Sequence, residues 1–170
     1  MNYTPQQIAN YFLARAFESS VDVSPLKLLK LVYIAYGWNL ALRDKKLFHE
    51  PIEAWEHGPV VPTLYHEFKH YRKNPIKDFA EDYDAAMESM TVPRVPQSDS
   101  DTLLVLQKVW AAYKHFSAWT LRNKTHEKDG PWDKVYDRHR RDVILNDADI
   151  REHYKVKIRQ YLDAARTATA

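Results

Sequence analysis

Residues 24–43, SPLKLLKLVYIAYGWNLALR, constrain the fold of this chain more than any other stretch. Ser24 supplies an N-cap and Pro25 a first helical residue, so a helix is predicted over about 25–42. Along it Leu28, Leu29, Leu31, Val32, Tyr33, Ile34, Ala35, Tyr36 and Trp38 point in nearly every direction around the axis. A helix that is apolar all round has to be enclosed by other elements. It does not read as a membrane span: Leu31–Leu42 is broken by Gly37 and Asn39 and falls short of the roughly 20 apolar residues required. The predicted class is therefore mainly α, a compact single-domain fold over residues 1–170 packed around this central helix.

The enclosing elements are legible by their start signals. Thr4, Pro5 and Gln7 form a capping box that opens a first helix, predicted to run to about Phe17. Pro51, Pro59 and Pro62 forbid a long helix after the central one, and alternation over Ile52–His57 predicts a small β element near 47–57, with a turn at Gly58–Pro59. Pro62 starts the next helix, predicted to reach about Arg72. Residues 74–101 read as a connector: an acidic stretch, DFAEDYDAAMESM, with one short helix at most, then a Pro-rich extended loop. Helices resume at Asp101 with Leu103, Leu104, Leu106, Val109, Trp110 and Tyr113, and again after Ser117. Gly130–Trp132 reads as the start of a short one, and Asn146 caps a last helix carrying Ile150, Tyr154, Ile158 and Tyr161 or Leu162.

Composition excludes several functions. The chain has no cysteine, which removes disulfides, thiolate catalysis and Cys-ligated zinc, and a cytoplasmic location is expected. The N-terminus, MNYTPQQIANYF, lacks the pattern of a secretory signal, so no membrane partner is expected. A formal net charge of +2 is too small to drive nonspecific nucleic-acid binding. Three glycines leave no phosphate-binding loop, no dinucleotide fingerprint and no nucleophile elbow.

Tyr65–Tyr71, YHEFKHY, contains H-E-x-x-H at His66, Glu67 and His70, the pattern in which two histidines one helical turn apart hold zinc beside a glutamate base. Context weakens that reading. Val61, Leu64, Phe68 and Tyr71 make the apolar stripe, which turns His66 and His70 away from the core. The longer metal motif fails, since Lys73 and Ile76 stand where it needs Gly and a third His. Glu88 is the one carboxylate considered as a third ligand.

Two segments carry a more specific pattern. The first runs through Lys27, Leu28, Lys30, Leu31, Tyr33, Gly37, Trp38, Leu40 and Ala41. It continues through Leu47, Phe48, Ile52, Glu53, Ala54, Trp55, Gly58, Pro59, Val60, Val61, Pro62, Tyr65 and Phe68. The second adds Thr125, His126, Pro131 and Trp132. Together they resemble the Panacea family, also called the SocA-like antitoxin domain and often labelled phage-associated. One departure is Leu29, where the family often carries Gln, so no side-chain hydrogen bond is expected from that position. The connector carries little of the pattern.

The resemblance implies the antitoxin half of a bacterial or prophage toxin–antitoxin module, which blocks a cognate protein toxin by direct contact. Delivery of the toxin to an ATP-dependent protease is a further mode it implies. It implies no enzymatic activity, no metal and no cofactor. As toxin-binding ground the exposed residues are Asp82–Glu88 in the connector, His66, Lys69 and His70 on the outer helix face, and Trp55 with His57 beside the turn. Trp55 reads as core or interface, Trp132 as a staple at a helix start, and His57 and His126 as hydrogen-bonding backbone at turns. Two alternatives stay open on the residues alone. One is a zinc metallopeptidase using HEFKH. The other is a DNA-binding repressor carried by Arg138, Arg140 and Arg141, although no helix-turn-helix is legible.

Overall fold

A computed structural model describes residues 3–140 and 142–168. Its centre is α2, Pro25–Arg43, in which residues 27–40 are all buried. Around it stand α1 (Pro5–Ser19), α3 (Pro62–Phe68), α4 (Ser100–Tyr113), α5 (Ala118–Thr125) and α6 (Asp147–Ala168), each packing on α2. The enclosure expected of an all-round apolar helix is thus met by five helices. Two two-stranded antiparallel sheets, β1 (Glu53–Trp55) with β2 (Gly58–Val60) and β3 (Asp82–Asp84) with β4 (Ser89–Thr91), complete the fold. No helix among the described residues is long and apolar enough to cross a membrane.

Caps place the helix starts where the sequence predicts them. Thr4 and Gln7 close the capping box on α1, Ser24 caps α2, and Ser117 accepts from the Thr120 amide to start α5. The Asn146 side chain accepts from the Ala148 amide at 2.8 Å at the head of α6. Close approach of α6 to α2 depends on Gly37: a Cβ there would lie 2.0 Å from the Tyr154 ring.

The small β element expected near 47–57 is present as Glu53–Trp55, which pairs with Gly58–Val60 in the register Glu53↔Val60 to Trp55↔Gly58. Three other expectations are corrected. The turn is Glu56–His57, and Gly58, with φ +99°, begins β2; positive φ just after a tight turn is a glycine position. The helix begun by Pro62 does not reach Arg72 as α-helix, since it tightens into a 3₁₀ turn at Lys69–Tyr71 and ends where Arg72 takes φ +55°. Gly130–Trp132 starts no helix and leads into a run of turns held by bonds such as Tyr136 N–H to Trp132 O, 2.9 Å.

The acidic connector departs furthest from its expectation. It forms the β3–β4 hairpin, with the Asp84 carboxylate accepting from the amides of Ala86 and Met87 to shape its turn. Asn10 of α1, fully buried, anchors the hairpin's base. Its amide donates to the carbonyls of Ala80 and Pro93 at 2.9 and 3.0 Å, and its oxygen accepts from the Ala80 amide at 2.8 Å. Backbone on both sides of the hairpin is satisfied by one side chain from a distant helix, which local pattern does not reveal.

Candidate functional site

Most of the motif residues meet in one knot beneath Gly58. Lys30 reaches from α2 with its whole side chain buried, and its Nζ donates to the Pro59 carbonyl at 2.9 Å. Burial pushes its pKa well below the usual lysine value, and the nearby Arg122 guanidinium adds to the shift. Among the described residues no carboxylate offsets this, so the amine is held toward its neutral form. A Cβ on residue 58 would fall 2.7 Å from Lys30 Nζ, 2.8 Å from His126 Cε1 and 2.9 Å from Thr125 Oγ1, so glycine is required by space as well as by φ.

His126, which closes α5, lies between two backbone oxygens: Nδ1 is 2.6 Å from the Arg122 carbonyl and Nε2 is 3.2 Å from that of Glu56. A neutral ring can donate to only one of them. Burial lowers its pKa, and the charges of Arg122 and Lys30 oppose protonation further, while the two carbonyls favour it. Its ring centroid is 3.8 Å from that of Trp132, which stacks on Tyr136 at 4.3 Å. Trp132 in turn donates its N–H to the Trp55 carbonyl at 2.8 Å, and the Trp55 N–H reaches the Glu53 carboxylate at 2.7 Å. Lys30, Glu53, Trp55, Gly58, Pro59, Thr125, His126 and Trp132 therefore lock the β1–β2 hairpin onto α2 and α5, with Pro131 buried beside Trp132. Lys30 Nζ is closed to solvent, and its bond to the Pro59 carbonyl fastens the hairpin to α2.

The other motif residues serve separate packing roles. Lys27 donates to the Lys114 carbonyl at the C-terminus of α4, 2.6 Å away, where a cation faces the negative end of the helix. Tyr33 meets Tyr154 edge to face at 5.7 Å. Trp38 lies between Tyr113 and Tyr161, at 6.2 and 5.6 Å.

The zinc geometry of HEFKH is not formed. His66 belongs to the α-helix and His70 to the 3₁₀ turn, so they lose the one-turn stacking a shared metal needs. Lys69 Nζ sits 3.4 Å from His66 Nδ1, and the His70 ring packs on Tyr71. Glu88 lies in the β3–β4 turn, and no group of three or more His, Cys, Asp or Glu among the described residues is placed to hold a metal.

The toxin-binding candidates lie on three elements: Trp55 and His57 in the β1–β2 hairpin, His66, Lys69 and His70 on α3 and its 3₁₀ extension, and Asp82 and Glu88 in the β3–β4 hairpin. Trp55 is half-buried, its ring 4.9 Å from Tyr65, which is 5.4 Å from His66, making a row of three rings. His57 stands exposed at the turn and, among the described residues, makes no side-chain hydrogen bond. A groove of about 610 Å³ separates α3 and its 3₁₀ extension from the β3–β4 hairpin; Glu67, Phe68, His70 and Tyr71 form one wall, Met90 and Val92 the other. Of the candidates His70 lines it, while His66, Lys69, Asp82 and Glu88 are exposed. Sequence reasoning took in Tyr83 and Met87 within Asp82–Glu88 without singling them out and missed Met90; the three are 61, 70 and 56 % exposed. Local spacing did not signal them, since positions 83, 87 and 90 do not alternate. Of the basic loop, Arg138 pairs with His139 and Arg140 is exposed; Arg141 lies outside the described residues.

Comparison with known proteins agrees with the motif pattern. The family model "Antitoxin SocA-like, Panacea domain" matches residues 28–133. That span takes in α2 from Leu28 on, both hairpins, α5 and Trp132, hence the whole Gly58 knot. Antitoxin SocA of Caulobacter vibrioides is 30 % identical over 128 residues, covering 75 % of this chain and 68 % of that protein. No solved structure matches this chain. This chain belongs to the SocA-like antitoxin family, defined by the Panacea domain.

Proposed function

We propose that this chain neutralises a cognate protein toxin by direct binding, acting as a single domain without catalysis of its own. Membership of the SocA-like antitoxin family carries this reading. The toxin-facing surface is the row Trp55–Tyr65–His66 with His57, together with the groove and the β3–β4 hairpin. Exposed aromatic and methionine side chains supply burial, and Met adapts to irregular partners. Glu81, Asp82, Asp84 and Glu88 surround Tyr83 and Met87, which favours a partner with basic groups around an apolar centre. His70 on the opposite wall, with His66 and Lys69 exposed on the same helical segment, adds orientation. Once seated, the toxin can be handed to an ATP-dependent protease, both proteins being cytoplasmic.

The test is co-expression with the product of the neighbouring gene. That product alone should arrest growth, and this chain should relieve the arrest in a stable complex. Alanine at Tyr83, Met87 and Met90 together should restore toxicity while leaving the melting temperature unchanged, because all three are exposed. A harmless neighbour sinks the antitoxin reading; full protection by the triple variant sinks the placement of the surface.

A further inference from the structure

A second cavity, of about 340 Å³, opens where α2, α4, α5 and α6 meet, away from the proposed toxin-facing groove. Its volume falls within the range of small-molecule sites, and its walls are the rings of Tyr113, Phe116, Tyr154 and Tyr161. Two observations point to an anionic occupant. Tyr154 lines the cavity, and its hydroxyl, which is not sealed from solvent, makes no hydrogen bond among the described residues and is open to donate to a bound group. At the rim Lys157 is neutralised by Glu127, whereas the Lys124 ammonium rests over the Phe116 ring at 5.0 Å with no carboxylate within ion-pairing distance among the described residues. That leaves one cation unmatched beside four aromatic faces.

We propose that this cavity binds a small aromatic carboxylate, its ring held between the tyrosines and Phe116 and its carboxylate turned to Lys124 and the Tyr154 hydroxyl. His153, at the same rim, stays neutral because burial and Lys157 lower its pKa, and so leaves Lys124 as the charge that selects the anion. The site does not rest on the toxin-binding reading.

Indole-3-propionate and its neutral amide are the probes, titrated into the full chain and followed by two-dimensional amide NMR. The acid should bind saturably with Kd of about 1 mM or tighter and shift the amides of Tyr113, Lys124, His153 and Tyr161. Lys124→Gln and the conservative Tyr154→Phe should each weaken it by about fivefold or more, and Lys108→Gln should not. Absence of saturation, equal binding of acid and amide, or full affinity in Lys124→Gln would overturn the assignment.

Discussion

Substituting Gly37 by alanine sets two physical effects against each other. Helix propensity favours alanine by about 1 kcal/mol in a helix interior, and Gly37 sits in the middle of α2. Packing opposes it. The new Cβ would lie 2.0, 2.3 and 2.7 Å from Cδ2, Cε2 and Cγ of Tyr154, whereas carbon atoms rest at about 3.5–4.0 Å. The ring must therefore withdraw by about 1.5 Å, and it cannot do so freely, being buried in α6 against Tyr33. Overpacking of this kind costs about 1–3 kcal/mol and sometimes more; with three ring atoms involved the upper part of that range applies. The expected net loss is about 2 kcal/mol, read by urea unfolding with linear extrapolation. Tyr154→Ala alone should cost about 3–5 kcal/mol. In the double variant the methyl added at position 37 enters the vacated space, so the second substitution should be neutral or stabilising, a coupling of about 2–3 kcal/mol. A Gly37→Ala protein as stable as the parent, or additive losses in the double variant, would refute the close-approach account.

Two further outcomes follow from named contacts. Asn10→Ala removes three hydrogen bonds and leaves the Ala80 amide and two carbonyls unpaired, so stability should fall by about 3 kcal/mol and the Ala80 amide should lose hydrogen-exchange protection; unchanged protection there would show that the clamp does not hold the hairpin. Asp99, the N-cap of α4, is pushed up by desolvation but held at about 2, below its usual 3.8, by the Tyr3 hydroxyl, the Thr102 amide and hydroxyl, and the Arg43 charge. A folded pKa below the unfolded one means stability that is present above pH 4 and lost as pH falls from about 4 to 2, worth about 2 kcal/mol. Desolvation and the Asp99 bond raise Tyr3 to about 12, so its contribution is complete below pH 10 and disappears toward pH 12. Asp99→Asn should flatten the acid limb of the stability curve, and acid unfolding parallel to that of the parent would remove Asp99 from the account.

Periodicity and caps made the helical frame legible, because both act within a few residues. Ser24 and Pro25 set the start of α2, Thr4 and Gln7 that of α1, and Asn146 that of α6, each through bonds to nearby amides. The apolar stripe Val61, Leu64 and Phe68 likewise placed His66 and His70 outside the core before their geometry was seen. The hairpin in the acidic connector was not legible, since it is held from Asn10, and neither was the break at Lys69, where the 3₁₀ turn separates two histidines that local spacing had put together.

What sequence alone determines about this protein is its central helix, the enclosure that helix requires, and a motif pattern ordered closely enough to carry family membership. Tertiary structure decides what the motif residues do. Lys30, Gly58, His126 and Trp132 have no mutual meaning until α2, the β1–β2 hairpin and α5 bring Lys30 and His126 against Gly58 and the His126 ring onto Trp132. Burial then makes a lysine a hydrogen-bond donor fixed to the Pro59 carbonyl rather than a surface charge. The same holds for the two cavities. Each is the gap left between elements far apart in the chain, and gaps of that kind are set by packing rather than by neighbours in sequence.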